Sequence, residues 1–176
     1  MDLDKLKRLI VDASQEMEDE LISIRRHLHQ YPELSFKEYE TAAYVERNLN
    51  DSGIPYKRIG ETGIIATITG EKDGPGFTVG LRADLDALPI QEETGLPFAS
   101  KHEGIMHACG HDGHTTILLG AARLLFEHKQ HFSGQVVCIF QPGEEADGAA
   151  KELIRLGALD DPKVDATLAL HLWPYL

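Results

Sequence analysis

Cysteine is scarce in this chain: Cys109 and Cys138 are the only two among 176 residues, too few for a disulfide framework. Long apolar runs are missing too. No stretch approaches the roughly 18 consecutive apolar residues of a membrane span. The opening segment "MDLDKLKRLIVDASQEMEDE" is charged throughout, where a secretory leader would carry an apolar run. These absences predict a cytoplasmic protein with no membrane partner. Basic side chains are few as well, 17 Lys and Arg against 29 Asp and Glu, giving a formal net charge of −12. Such a surface repels phosphate backbones, so nucleic acid is not an expected partner. Repeats, low-complexity segments and flexible linkers are also absent. What remains, 42% hydrophobic and 26% charged, is the composition of one globular domain or part of one.

Periodicity divides the chain into elements. Leu6, Ile10, Ala13, Met17, Leu21, Ile24 and Leu28 recur at steps of three and four, which predicts a long amphipathic helix, broken once at most, ending before Pro32. Ser35 and Glu38 in "SFKE" have the spacing of a capping box ahead of a second helix through Leu49, with Gly53 as its stop. "GIIATITG" and "FTVGLRADL" read as neighbouring strands near a sheet centre. "TTILLGAARLLFEH" predicts a helix, "GQVVCIFQP" a strand with Cys138 as a buried thiol, "DGAAKELIRLG" a helix closed by Gly157, and "VDATLALHLWP" a last strand. Strands alternating with helices predict a layered α/β fold with a largely parallel central sheet.

In open α/β sheets ligands bind beyond the carboxyl ends of the strands, and the chemically capable residues fall there. Asp84 and Asp86 end one strand, Glu144 and Glu145 follow another, and His171 closes a third. The segment "HACGHDGH", residues 107–114, precedes a helix and gathers His107, Cys109, His111, Asp112 and His114 in eight residues, with His102 nearby. Cys109 and His111 are two apart, so in an extended loop their side chains leave one face and can reach one ion or two adjacent ions. Adjacent Glu144 and Glu145 would diverge in a helix or a strand and so divide two tasks, one binding metal and the other facing substrate. Taken singly, each feature has an ordinary structural reading: an acidic turn after "QPG", a core histidine at His171, strand-end turns at Asp84 and Asp86. A closed four-ligand zinc site would need a second Cys pair, which the chain does not have.

The ordered set "RRHLHQYPELSFKEYETA", "LRADLDALPIQEETGLPFAS", "HACGHDGHTTILLGAARLL", "FQPGEE" and "LHLWP" resembles the amidohydrolase branch of the zinc-exopeptidase-like superfamily, which holds N-acyl-amino-acid amidohydrolases, hippurate hydrolases and auxin-conjugate hydrolases. The resemblance runs from about residue 25 to the end. It implies an α/β/α catalytic domain in which a dinuclear centre of zinc, manganese, cobalt or nickel cleaves the amide of an N-acyl amino acid. It further implies that Cys109, His111, Glu145 and His171 bind metal, and that Glu144 is the general base. Asp86 matches a carboxylate behind the metals, and Asp84 stands where wider relatives have a histidine ligand. Asp84, Asp86, Asp112 and His114 are thus expected to support the ligands from behind.

Such enzymes continue past "HLWP" into an inserted dimerisation and lid domain, then return with a further histidine ligand. The resemblance therefore implies that residues 1–176 are the amino-terminal part of the catalytic domain of a homo-oligomeric parent, and that the separated part self-associates. Two other readings stay open at the level of sequence. One is a metal-binding fragment without catalysis; the other makes Cys109 a nucleophile activated by a nearby histidine.

Overall fold

The structure is a computed structural model that describes residues 2–146 and 149–173. Its amino-terminal helices are α1 (Leu3–Glu16) and α2 (Glu18–Gln30), interrupted at Met17. Asp2 starts α1 by accepting the Lys5 N–H at 2.9 Å, satisfying one of the unpaired amides of a first turn. The apolar stripe is only half used: Met17, Ile24 and Leu28 are buried, but no residue of α1 is. α3 (Tyr39–Asp51) buries Ala42, Val45 and Leu49, and Gly53 takes the left-handed conformation just past its end. The capping box does not form. Glu38 is the N-cap but makes no side-chain cap bond, and Ser35 donates its hydroxyl to Asp86 instead.

The strands are β1 (Tyr56–Ile59), β2 (Gly63–Thr69), β3 (Thr78–Asp84), β4 (Gln135–Gln141) and β5 (Ala166–Ala169), in the order β1-β2-β4-β3-β5. β4, β3 and β5 form the parallel core, and β2 and β1 extend it antiparallel on one side. β2 and β3, expected to be neighbours, are separated by β4. Their connection carries the chain across, and the later strand inserts between them.

Alternation along β2 and β4 makes the layers. Ile64, Ala66, Ile68, Val136, Cys138 and Phe140 pack with α2, α3 and α4 (His111–Glu127) on one face. Ile65, Val137 and Ile139 face the other way, against Leu153 of α5 (Ala149–Arg155) and Ala158. Cys138 is fully buried, and that burial pushes its thiol up to about 12, so it is an inert core residue. The first two residues of the helix expected from Asp147, and Pro174 of "HLWP", lie outside the described residues. β5 is exposed along its whole length.

This topology sets the site. β3 and β4 are parallel and in register with Asp84 opposite Gln141, so the segments after both strands leave the sheet side by side. β5 flanks β3 in the same direction and delivers His171 to that end, and α4 begins there at His111.

Candidate metal centre

His111 is the hinge of the arrangement. It is the first residue of α4, 1% exposed, and its Nδ1 lies 2.8 Å from the main-chain carbonyl of Asp86. A carbonyl only accepts, so Nδ1 carries a proton, and in the neutral ring Nε2 is left with its lone pair. That Nε2 is buried without a hydrogen-bond partner. Around it stand Asp84 Oδ2 at 3.6 Å, Glu144 Oε2 at 3.8 Å and Glu145 Oε1 at 3.8 Å. A buried Nε2 facing three carboxylates calls for positive charge at that point, supplied either by its own proton or by a bound cation. Burial opposes charge on His111, but the hydrogen bond to Asp86 and the charges of Asp84 and Asp86 outweigh it and raise its pKa.

Cys109 and His171 complete a second group. Their Sγ and Nε2 are 3.4 Å apart, and His171 Nδ1 donates to the Leu172 carbonyl at 2.6 Å, leaving Nε2 free to face the sulfur. Among the described residues three groups have ligand atoms within 4.8 Å of one another: Cys109 with His111 and His171, His111 with Glu144 and Glu145, and Asp84 with His111 and His114. His111 belongs to all three. Thiolate, imidazole and carboxylate in such a cluster are the donor set of a borderline divalent ion.

The third group is a brace. His114 Nε2 accepts the Leu172 N–H at 2.8 Å, so its Nδ1 is protonated and donates to Asp84 Oδ1 at 2.6 Å; both nitrogens are engaged. Arg82 donates to the other Asp84 oxygen at 2.7 Å, and Thr115 binds the Asp84 carbonyl. Burial raises the Asp84 pKa, yet the His114 bond and the nearby His111 and Arg82 charges bring it below the usual value. Leu172 comes this close because Gly110 and Gly113 leave room. A Cβ at Gly113 would stand 2.5 Å from the Leu172 side chain, and at Gly110 it would stand 3.1 Å away.

Asp86 organises the opposite wall. One oxygen accepts the Glu144 N–H at 3.0 Å, and the other accepts the Glu145 N–H at 2.9 Å and the Ser35 hydroxyl at 2.6 Å. Burial disfavours its charge, but the contacts with His111, Ser35 and the two amides hold its pKa at about 2. Cys109 is affected oppositely: burial, then Glu145, Glu144 and Asp84, push its thiol up to about 11.

Several placements differ from expectation. Cys109 and His111 are not in an extended loop: Gly110, left-handed at φ 86°, turns the chain between them so that His111 already belongs to α4. Glu144 and Glu145 converge rather than diverge, because they sit in a turn and neither helix nor strand geometry applies. Asp112 points away from the cluster, accepting from His29 Nδ1 at 2.8 Å and Arg25 Nε at 3.3 Å. His29 also meets Glu92, and its pKa is raised, first by the Asp112 bond. His107 is buried with both nitrogens unpartnered, and desolvation lowers its pKa to about 4. His102 binds the Pro32 carbonyl, away from the site. Arg82 escaped the sequence reading, and Ser35 and Glu38 entered it only as a capping box. The signal for Arg82 was its place as the cation two positions before Asp84.

Residues 80–176 match the family described as Peptidase family M20/M25/M40. Among curated proteins the chain is 53% identical over 159 residues to an N-acetyl-L-cysteine deacetylase of Bacillus subtilis, covering 90% of this chain and 37% of that protein. It is 42% identical over 175 residues to an N-acyl-L-amino acid amidohydrolase of Geobacillus stearothermophilus, covering 98% and 45%. The chain thus spans less than half the length of either. The crystal structure of the Bacillus subtilis YXEP protein, described as a dinuclear metal binding peptidase from the M20 family, superposes with a TM-score of 0.87 at 44% identity, over 92% of this chain and 45% of that one. With the five ordered motifs, the α/β layers and a family match over more than half its length, this chain belongs to peptidase family M20/M25/M40.

Proposed function

We propose that this chain carries the metal-binding part of a hydrolase centre that cleaves the amide bond of N-acyl amino acids. The observation that carries the proposal is the orphaned, buried Nε2 of His111, shared between a Cys109–His171 group and a Glu144–Glu145 group. Cys109, His111, Glu145 and His171 would hold two divalent ions, with zinc, manganese, cobalt and nickel all compatible with mixed sulfur, nitrogen and oxygen donors. Bound there, such ions would supply Lewis acidity to the scissile carbonyl and would lower the pKa of the attacking water.

The protein side chains do the rest. Glu144 has the more exposed of the two turn carboxylates, 40% against 24% for Glu145, so it meets substrate and solvent more readily. Its carboxylate takes a proton from the attacking water and returns it to the departing nitrogen. Asp86 holds both turn amides and the His111 ring, and Asp84 with His114 fixes the segment bearing His171. The names of the relatives support the substrate class, since two of them act on N-acyl amino acids by name.

The thiol-nucleophile reading is disfavoured by charge. A reactive cysteine needs an electropositive setting that lowers its pKa, whereas burial and then acidic neighbours push Cys109 up to about 11. A bound cation reverses that balance. Cys109 and Cys138 are both free thiols, which fits a reducing, cytoplasmic setting, and no described helix is long and apolar enough to cross a membrane. The coverage of the relatives and the exposed β5 support residues 1–176 as part of a longer catalytic domain; that a lid domain and a further histidine ligand lie elsewhere in the protein belongs to the same proposal. Assaying the complete protein on N-acetyl, N-benzoyl and indole-acetyl amino acids, with chelator and after metal is restored, tests the proposal; hydrolysis that persists in chelator would refute it.

A further inference from the structure

Glu38 is 0% exposed, yet among the described residues it forms no ion pair. One oxygen accepts the Phe36 N–H at 2.9 Å and the Gly143 N–H at 2.8 Å, and the other accepts the Thr62 hydroxyl at 2.8 Å. Burying a carboxylate with no counter-charge is costly, and helix initiation does not explain it, because Glu38 gives α3 no side-chain cap bond. Its partner Gly143 lies 105 residues away, immediately before Glu144 and Glu145.

The backbone here is also unusual. Gly143 is left-handed at φ 61°, and so is Phe36 at φ 62°, a conformation that a bulky side chain rarely adopts. The two segments touch: a Cβ at Gly143 would stand 2.8 Å from the Phe36 ring. One carboxylate oxygen therefore ties together two left-handed residues. Three residues earlier, the Ser35 hydroxyl reaches Asp86, whose oxygens hold the next two amides of the same turn. Three consecutive main-chain N–H groups, at 143, 144 and 145, are thus each fixed by a buried carboxylate. Strain and uncompensated burial concentrated behind a site are features that a fold retains when the geometry they hold matters.

We propose that Glu38 is a positioning residue for the metal-facing turn, setting through Gly143 the distance at which Glu144 and Glu145 reach His111. The inference rests on the metal-site reading given above. Groups that orient ligands from behind are worth about 10–100-fold in metal affinity or activity.

The test is a Mn²⁺ titration of the complete protein, with the melting temperature of the metal-free form measured alongside. Glu38→Leu keeps the bulk but leaves the Gly143 N–H unpartnered, and should weaken Mn²⁺ binding about 10–100-fold. Glu38→Gln still offers an oxygen to Gly143 and an amide N–H to Thr62, and should bind close to wild type. A lowered melting temperature in Glu38→Leu with unchanged Mn²⁺ affinity would reduce Glu38 to a structural residue, and equal weakening in Glu38→Gln would also overturn the positioning role. If Glu38→Leu does not fold, Glu38→Asp, which withdraws the acceptor by one methylene, is judged by the same two outcomes. Glu145→Ala in parallel separates the layers of the argument. Wild-type affinity in Glu145→Ala sinks the metal-site reading and this inference together, whereas loss there with retention in the Glu38 variants sinks this inference alone.

Discussion

Cys109 Sγ lies 3.4 Å from His171 Nε2 although 62 residues separate them, and the hydrogen bond from His171 Nδ1 to the Leu172 carbonyl turns the lone pair of Nε2 toward the sulfur. A thiol and an imidazole this close make either a reactive pair or two ligands of one ion. Their surroundings favour the proposed ligand role: burial, and then the acidic neighbours Glu145, Glu144 and Asp84, keep the thiol protonated in the absence of metal, and the same carboxylates attract a cation.

The two glutamates should separate cleanly in the complete protein. Glu144→Gln keeps the shape of the turn and removes the proton carrier, so turnover should fall about 10²–10⁴-fold while metal content holds. Glu145→Gln should lose metal together with activity. Metal analysis beside kinetics reads both, and the opposite pattern would exchange the two roles.

Cys109 must give up its proton to bind an ion, and its thiol stands near 11 before metal arrives. Metal affinity should therefore rise with pH across the neutral range, by about tenfold per unit for one displaced proton. Titration calorimetry in buffers of different ionisation enthalpy counts that proton. Cys109→Ser should bind more weakly and release one proton fewer, flattening the slope, whereas an unchanged slope would place the released proton elsewhere.

Asp86 provides a stability test. Its native pKa of about 2 lies below an unfolded value of roughly 3.9, so its contribution is fully present above about pH 4 and is lost as pH falls through about 2. The shift corresponds to about 2–3 kcal/mol at neutral pH. Urea unfolding of wild type and Asp86→Asn from pH 7 to 2 should show a stability gap that is constant above pH 4 to 5 and narrows below. A gap that persists unchanged to pH 2 would mean that the Asp86 charge contributes nothing.

Much of this was legible in the sequence, for reasons that differ by residue. The helical stripe of α2 and the alternation of β4 are local patterns, and strand ends place Asp84, Glu144 and His171 at one edge whatever the strand order. That order itself depends on which distant strands pair, so the insertion of β4 between β2 and β3 left no local mark. β1, four residues with Lys57 and Arg58 exposed at its centre, lacks the apolar run that announces a strand. Ser35 and Glu38 carry the letters of a capping box, and letters do not say which backbone N–H a carboxylate will take. Here tertiary partners at Asp86 and Gly143 outcompeted the helix end.

β5 predicts the behaviour of the separated chain. Among the described residues it pairs only with β3, and Leu168 and Leu170 are 63% and 70% exposed. An apolar, unpaired edge is a template for association. Residues 1–176 prepared alone should form oligomers in sedimentation velocity, and Leu168→Lys should reduce them. A monomer at all concentrations would show that the edge is protected by something other than pairing.

Among the described residues His111 is common to all three groups that could hold an ion, so its removal is the most direct test of the central claim. Elemental analysis of the complete protein after equilibration with Mn²⁺, Co²⁺ or Zn²⁺ should find two ions per chain in wild type. His111→Ala should retain neither at stoichiometric occupancy, with the fold checked by circular dichroism. A wild-type protein that takes up no divalent metal, or a folded His111→Ala variant that keeps both ions, would contradict the assignment of this cluster as a dinuclear metal centre.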